Sequence, residues 1–240
     1  MNTLNKIQLF IPCFVDQLYP DSAMNMFKIL KAAGLEIEYN ANQTCCGQPA
    51  FNSGFWDETA VVAKKWIKDM QQSDLTVVSP SSSCVGFVRN YYSDIFPDDK
   101  NCEQIVTKTY EFTEYLVDVL GKTDFDARLE KKAVYHDSCA ALRECKIKAA
   151  PRKLLEHVRG LTLLDLPDSD QCCGFGGTFS VKFEPISAAM AEKKVQHALS
   201  VGAELIISAD MSCLMQLQGY ISNKNLPLKT MYIADVLVSR

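Results

Sequence analysis

The sequence has no long apolar run and no surplus of charge of either sign. Its hydrophobic stretches fall well short of the ~20 residues a membrane helix needs, so no integral membrane segment is expected. The 25 Lys and Arg against 29 Asp and Glu leave a net charge of −4. That balance offers no basic face for nucleic acid and no acidic tail. The segment Met1 to Phe10 lacks a basic stretch followed by an apolar one and a small-residue cleavage site. No signal peptide is read there, and a soluble, cytoplasmic protein is expected. Histidine is scarce, with three in the chain. There is no His-Glu-x-x-His pair, no Ser-His-Asp arrangement with supporting context and no outstanding pair of carboxylates. The glycine-rich loop Gly174-Phe175-Gly176-Gly177 fits neither a P-loop nor a dinucleotide fingerprint.

What the chain has in excess is cysteine, with ten among 240 residues. Without an export signal, metal binding or redox work is a better reading than a disulfide framework. The cysteines reveal an internal repeat. Cys13, Cys45-Cys46-Gly47 and Cys84 recur as Cys139, Cys172-Cys173-Gly174 and Cys213, at shifts of 126, 127, 127 and 129 residues. Leu75 to Cys84 aligns without gaps on Glu204 to Cys213: an apolar β-rich run, a small polar loop, then cysteine. The polar stretch from Gly121 to Lys132 reads as a linker, which divides the chain into repeats at 1–122 and 123–240.

Each repeat has the same plan. Apolar runs at Ile7–Ile11 and Ala133–Tyr135 precede the first cysteine. Amphipathic helices are expected near Ser22–Ala33 and Arg152–Val158, with Gly34 and Gly160 as C-caps. Second runs at Leu35–Tyr39 and Leu161–Leu166 lead to the Cys-Cys-Gly turns. Longer helices follow near Glu58–Met70 and Pro185–Ser200, and the aligned third runs come next. Short helices at Val85–Ile95 and Leu214–Ile221 precede a fourth run, Gln104–Thr107 or Lys229–Tyr232. A closing helix in the first half has Phe112, Tyr115, Leu116 and Val119 on one face. The alternation predicts an α/β fold of two similar halves, each a small, mainly parallel sheet flanked by helices. The cysteines then lie beyond strand carboxyl ends, the edge at which open parallel sheets bind ligands.

Four thiolates converging at such an edge are a ligand set for an iron–sulfur cluster or for zinc. The candidate sets are Cys13, Cys45, Cys46 and Cys84, and Cys139, Cys172, Cys173 and Cys213. Gly47 and Gly174 allow a tight turn against a bulky ligand. Buried cysteine can also be a small core hydrophobe, the reading given to Cys102 and Cys145, which have no counterpart in the other half. Of these two, Cys145 is the closer to a ligand set, six residues after Cys139. Thiol–disulfide catalysis at a Cys-Cys pair ranks last, because vicinal cysteines rarely form unstrained disulfides.

A cysteine, about thirty residues, Cys-Cys-Gly, about forty residues and a final cysteine, all duplicated, resemble the cysteine-rich CCG domain found in heterodisulfide reductase and in the iron–sulfur component of glycolate oxidase. Two such domains and nothing else, with His136 to Arg143 and Gln171 to Phe179 as second-half signatures, resemble the lactate utilization protein A family. The resemblance implies iron–sulfur clusters of the 4Fe-4S type on the eight cysteines. It also implies electron transfer in a complex oxidising L-lactate to pyruvate, with partners resembling lactate utilization proteins B and C. Zinc, in a non-catalytic assembly module of the same complex, is the alternative, as is service to another 2-hydroxy acid oxidase or a heterodisulfide reductase-like system. The sequence departs from the Cys-x-x-Cys ending of the heterodisulfide reductase relatives. Ser81 and Asp210 stand where those carry a fifth thiolate, and either could offer an oxygen to the metal.

Among the remaining residues, His136 lies three residues before Cys139, where it could serve a cluster or simply orient a strand end. Its first-half counterpart is Phe10. Arg143 could neutralise cluster or carboxylate charge or form a surface ion pair. His157 and His197 are expected to be solvated, and Trp56 and Trp66 to pack in the core.

Overall fold

The computed structural model describes residues 6–71 and 73–240. Residues 1–5, part of the segment read for a signal peptide, lie outside the described residues. In the first half, β1 (Lys6–Leu9) leads to α1 (Cys13–Leu18), α2 (Pro20–Ala32) and β2 (Glu36–Tyr39). Then come α3 (Gln48–Asn52), α4 (Trp56–Met70), β3 (Thr76–Ser79), α5 (Ser82–Ile95), α6 (Lys100–Thr107), β4 (Thr109–Glu111) and α7 (Phe112–Glu114), which runs into a π-helical turn, Tyr115–Val119. The second half repeats this with β5 (Arg128–Tyr135), a π-helical turn at Ala140–Glu144, α8 (Ala149–Glu156) and β6 (Arg159–Leu164). It continues through α9 (Phe179–Lys182), α10 (Glu184–Ser200), β7 (Leu205–Ser208), α11 (Met211–Asn223), β8 (Lys229–Tyr232) and α12 (Ile233–Leu237).

Each half builds a four-stranded sheet, in orders β2-β1-β3-β4 and β6-β5-β7-β8, and every pairing is parallel. The strands are short and rich in Val, Ile and Leu, as strands covered on both faces require. Alternation sends their side chains to two different cores. Ile7, Leu9 and Val78 join Ala133, Tyr135, Leu205 and Ile207 in one cluster shared by both halves. Val77 and Phe10 point instead into a core private to the first half, and Val134 and Ile206 into one private to the second. The two sheets therefore face each other across common apolar material.

Polar contacts tie the same seam. Tyr232 Oη donates to Pro80 O at 3.0 Å, and Cys145 Sγ to Ser82 O at 3.3 Å. Asp235 accepts from Ser22 Oγ at 2.8 Å and Asn25 Nδ2 at 3.0 Å. At the closest approach, α5 meets the π-helical turn of the second half at Gly86. A Cβ there would lie 2.5 Å from Glu144 Cβ.

Several local expectations need correction. Gln104–Thr107 is the end of α6 and not a strand. Asp99 caps that helix by accepting from the N–H groups of Asn101 and Cys102, and Cys102 and Ile105 face inward at helical spacing. The fourth strand begins two residues later. Gly160 lies within β6, and α8 ends at Glu156 with His157 as its C-cap, whereas Gly34 does follow a helix, with φ +91°. The stretch read as a linker contains the start of β5, whose outer residues Arg128, Glu130, Lys131 and Lys132 are exposed and charged. Val119 is 44% exposed because the wide π-helical turn, closed by Leu120 N–H to Tyr115 O, carries it off the face shared by Phe112, Tyr115 and Leu116. Trp66 is fully buried, but Trp56 is 67% exposed at the start of α4. Among the described residues no helix is long and apolar enough to cross a membrane.

Glu111 ends β4 inside this seam, beside Tyr135 and Tyr232. One carboxylate oxygen caps α7 through the N–H groups of Thr113 and Glu114, and the other is buried without a partner among the described residues. Burial pushes its carboxyl up to about 7, against the hydrogen bonds from Thr113 and Glu114.

Both features of the seam can be tested by unfolding. Gly86→Ala should destabilise the chain by about 1–3 kcal/mol, the usual cost of overpacking, read as a lower urea midpoint. The Glu111 carboxyl holds its proton more tightly in the folded chain than in the unfolded one. Its contribution to stability is fully present below about pH 4.5 and is lost as pH rises through about 7, a loss of about 3 kcal/mol. Urea midpoints across that range should show a smaller decline in Glu111→Gln, and equal slopes would contradict the assignment.

Candidate functional site

The strand order places β1 and β3 at the centre of the first sheet and β5 and β7 at the centre of the second. Connections leave these neighbours in opposite directions, which opens a crevice at their carboxyl ends. Cys13 begins α1 just after β1, and Cys84 lies in the first turn of α5 just after β3. Cys45 and Cys46 occupy the loop between β2 and α3. The second half matches: Cys139 after β5, Cys172 and Cys173 between β6 and α9, and Cys213 in the first turn of α11.

All eight candidate cysteines line one cavity of about 460 Å³ between the two sheet edges. The cysteine repeat predicts one site in each half, and the structure makes the two sets face each other. Phe14 and Phe175 meet across the halves at a ring separation of 5.9 Å and wall one side of the cavity. Cys102 and Cys145 are buried elsewhere, and neither lines the cavity. All ten cysteines are free thiols.

Within each set the thiols form a chain of contacts. Cys45 hydrogen-bonds with Cys13 and Cys46, and Cys46 with Cys84. Cys172 likewise contacts Cys139 and Cys173, and Cys173 contacts Cys213. Gly47 N–H donates to Cys45 Sγ and Gly174 N–H to Cys172 Sγ, both at 3.4 Å. These glycines have φ of +94° and +91°. A Cβ at Gly174 would also sit 2.5 Å from Ser187 O, so the turn closes only on glycine.

The convergence favours the thiolate form at one sulfur per set. Hydrogen bonds from Cys13 and Cys46, then from the backbone, bring Cys45 down to about 3. Those from Cys139 and Cys173 bring Cys172 down to about 2. The partner thiols Cys13 and Cys139 are pushed up, first by donating to that thiolate and then by burial. Four contacting sulfurs that together hold their protons this unequally are the donor chemistry a thiophilic metal or cluster displaces protons from, so the residues present fit such a group.

Ser81 and Asp210, which stand in place of a fifth thiolate, have another use. Each caps the helix that carries the last cysteine of its set. Ser81 Oγ accepts from Cys84 N–H at 3.4 Å, and Asp210 Oδ1 from Ser212 N–H at 3.2 Å. Asp210 Oδ2 also reaches across the seam to Ser83 N–H at 3.3 Å. Arg143 is exposed on the cavity rim. His157 is exposed and His197 half-buried, its Nδ1 3.1 Å from Pro167 O.

Beneath the sulfurs the halves differ. The first set rests on an aromatic bed in which Phe10, Tyr92 and Trp66 pack edge to face, and Tyr92 Oη donates to Cys46 O at 2.7 Å. The second rests on His136 and Lys194, both buried. Sequence reasoning misses Lys194, although a signal exists: a lysine on the inward stripe of α10, 128 residues from Trp66.

Asp210→Ala should lose about 1–2 kcal/mol, the value of a helix N-cap, while Asp210→Asn retains most of it. Unfolding midpoints report the loss. Metal content should stay unchanged in both variants if the carboxylate caps a helix and does not bind metal.

Comparison with known proteins agrees with this duplicated plan. The model of the CCG cysteine-rich domain matches twice, at residues 7–89 and 133–218. The chain is 41% identical over 236 residues to lactate utilization protein A 2 of Bacillus cereus (strain 03BB102), covering 97% of each chain. It is 44% identical over 237 residues to lactate utilization protein A 1 of Bacillus mycoides (strain KBAB4), covering 97% of this chain and 96% of the relative. Among solved structures, a hypothetical protein from Helicobacter pylori shares the fold with a TM-score of 0.58 at 12% identity. That match covers 98% of this chain, which spans about half (48%) of the other.

Proposed function

Since the chain belongs to the lactate utilization protein A family and carries two CCG cysteine-rich domains, we propose that it is the iron–sulfur electron-transfer subunit of a multi-protein system that oxidises L-lactate to pyruvate. The observation that carries this reading is the pair of four-cysteine sets facing one cavity. Cys13, Cys45, Cys46 and Cys84 hold one cluster of the 4Fe-4S type, and Cys139, Cys172, Cys173 and Cys213 hold the other, one in each of the repeats 1–122 and 123–240. Lactate oxidation to pyruvate releases two electrons and two protons, and two one-electron centres give the chain capacity for the pair.

The residues around the sulfurs suit that task. The N–H groups of Gly47 and Gly174 point at sulfurs, where amide donors tune potential. Cys84 and Cys213 sit in the first turns of α5 and α11, where the helix dipole favours negative charge. Burial of Cys46, Cys84, Cys173 and Cys213 keeps water from the deep side of each set, while exposed Cys13 leaves one edge within reach of a partner. The partners of this reading are proteins resembling lactate utilization proteins B and C, and the chain works in the cytoplasm.

Anaerobic purification with iron, acid-labile sulfide and EPR analysis tests the proposal. Two centres per chain are expected, and Cys46→Ser should remove about half the iron. A chain that takes up no iron after reconstitution in the presence of its partners would sink the reading. Zinc at full occupancy with no redox signal would support an assembly module instead.

A further inference from the structure

The two halves are chemically unequal at the deepest point of the site. Phe10 and His136 occupy equivalent places, one residue beyond β1 and β5. Each is fixed by its backbone: Phe10 N–H donates to Val78 O at 3.0 Å, and His136 N–H to Ile207 O at 2.8 Å. His136 O also accepts from Ser208 Oγ at 3.0 Å. The backbone is thus fixed where β5 ends, and the ring it carries is fully buried.

Phe10 is satisfied by the Trp66 ring, 5.3 Å away. His136 is not satisfied by its surroundings. It is fully buried, and neither Nδ1 nor Nε2 has a hydrogen-bond partner among the described residues. Lys194, the counterpart of Trp66, donates to Asp168 O and makes no hydrogen bond to the ring. Two orphaned ring nitrogens in a dry interior are costly and call for an explanation.

The explanation lies next to the ring. A ring nitrogen of His136, Cys173 Sγ and Cys213 Sγ all lie within 4.8 Å of one another, and all three residues are buried. A tetrahedral metal with nitrogen and sulfur ligands sets its donor atoms roughly 3.5–3.8 Å apart, which this arrangement reaches with small side-chain adjustments.

We propose that His136 is a nitrogen ligand of the second-half metal centre, which is therefore a mixed nitrogen–sulfur site, while the first-half centre is held by sulfur alone. This rests on the reading of both cysteine sets as metal centres, but gives one ligand position of the second to His136 in place of a cysteine, a donor that neither the cysteine repeat nor the CCG pattern contains. Phe10 has no donor atom, so the asymmetry is built into the duplicated chain.

The test reads spectra and affinity, not turnover. Cobalt(II) is titrated anaerobically into the full-length metal-free chain and into His136→Asn and His136→Phe. The wild-type chain should take cobalt at two sites with distinct d–d bands, one all-sulfur and one mixed. His136→Asn should leave the first site unchanged and weaken the second on the order of tenfold or more, with its mixed band lost. In the iron-loaded, reduced wild-type chain, pulsed EPR should find strongly coupled imidazole nitrogen. The other two histidines are engaged elsewhere, His157 exposed with Nδ1 beside Lys153 O and His197 with Nδ1 beside Pro167 O, so the signal should vanish in His136→Asn. If His136→Phe fails to fold, the nitrogen coupling and the asparagine variant decide the matter. Two all-sulfur spectra, unchanged affinity and no nitrogen coupling would overturn the ligand while leaving the metal centres standing. Failure of both halves to take up any metal would overturn both.

Discussion

The molecule depends on parallel strand pairing. A parallel ladder brings every strand's carboxyl end to one edge, and only that lets Cys13, Cys45 and Cys84, far apart in sequence, reach a common crevice. The second sheet does the same for its own set, and the shared apolar cluster turns the two edges toward one another. The period of two along β1, β3, β5 and β7 is what makes this possible. Alternate side chains supply the common core and the private cores, so the same strands that aim the cysteines also join the halves.

The cysteine repeat is legible in the sequence because thiols at a constant shift survive any change in the residues around them. The two sheets are legible for the same reason at lower resolution: Val77-Val78 and Ile206-Ile207 read as buried strands in either half. Other features are not legible. Ile105 and Val106 form too short an apolar run to distinguish a strand from the last turn of a helix. The charged residues opening β5 resemble a linker because the exposed end of a strand has the composition of a loop. No local pattern announces a π-helical turn, and so helical spacing puts Val119 on the wrong face. That both cysteine sets open on a single cavity is a tertiary fact, set by which faces of the two sheets meet.

Ser81 and Asp210 show how a departure from a family pattern can be structural. As missing ligands they would imply a weakened site. In the fold each accepts from a backbone N–H at the start of the helix bearing the last cysteine, which fixes the placement of that sulfur. The carboxylate does more than the hydroxyl, since it also binds the opposite helix start at Ser83.

The close approach at Gly86 bears on how the two copies of this duplicated chain can diverge. With no room for a side chain between α5 and the turn at Glu144, and with Tyr232, Cys145 and Asp235 bonded across the seam, neither repeat can shift against the other without breaking contacts in both. Residues under the sulfurs face no such restriction. Phe10 and Trp66 stand where the second half has His136 and Lys194, on backbone that follows the same course. A duplication locked in this way can specialise its halves in chemistry while the spacing between them stays inherited.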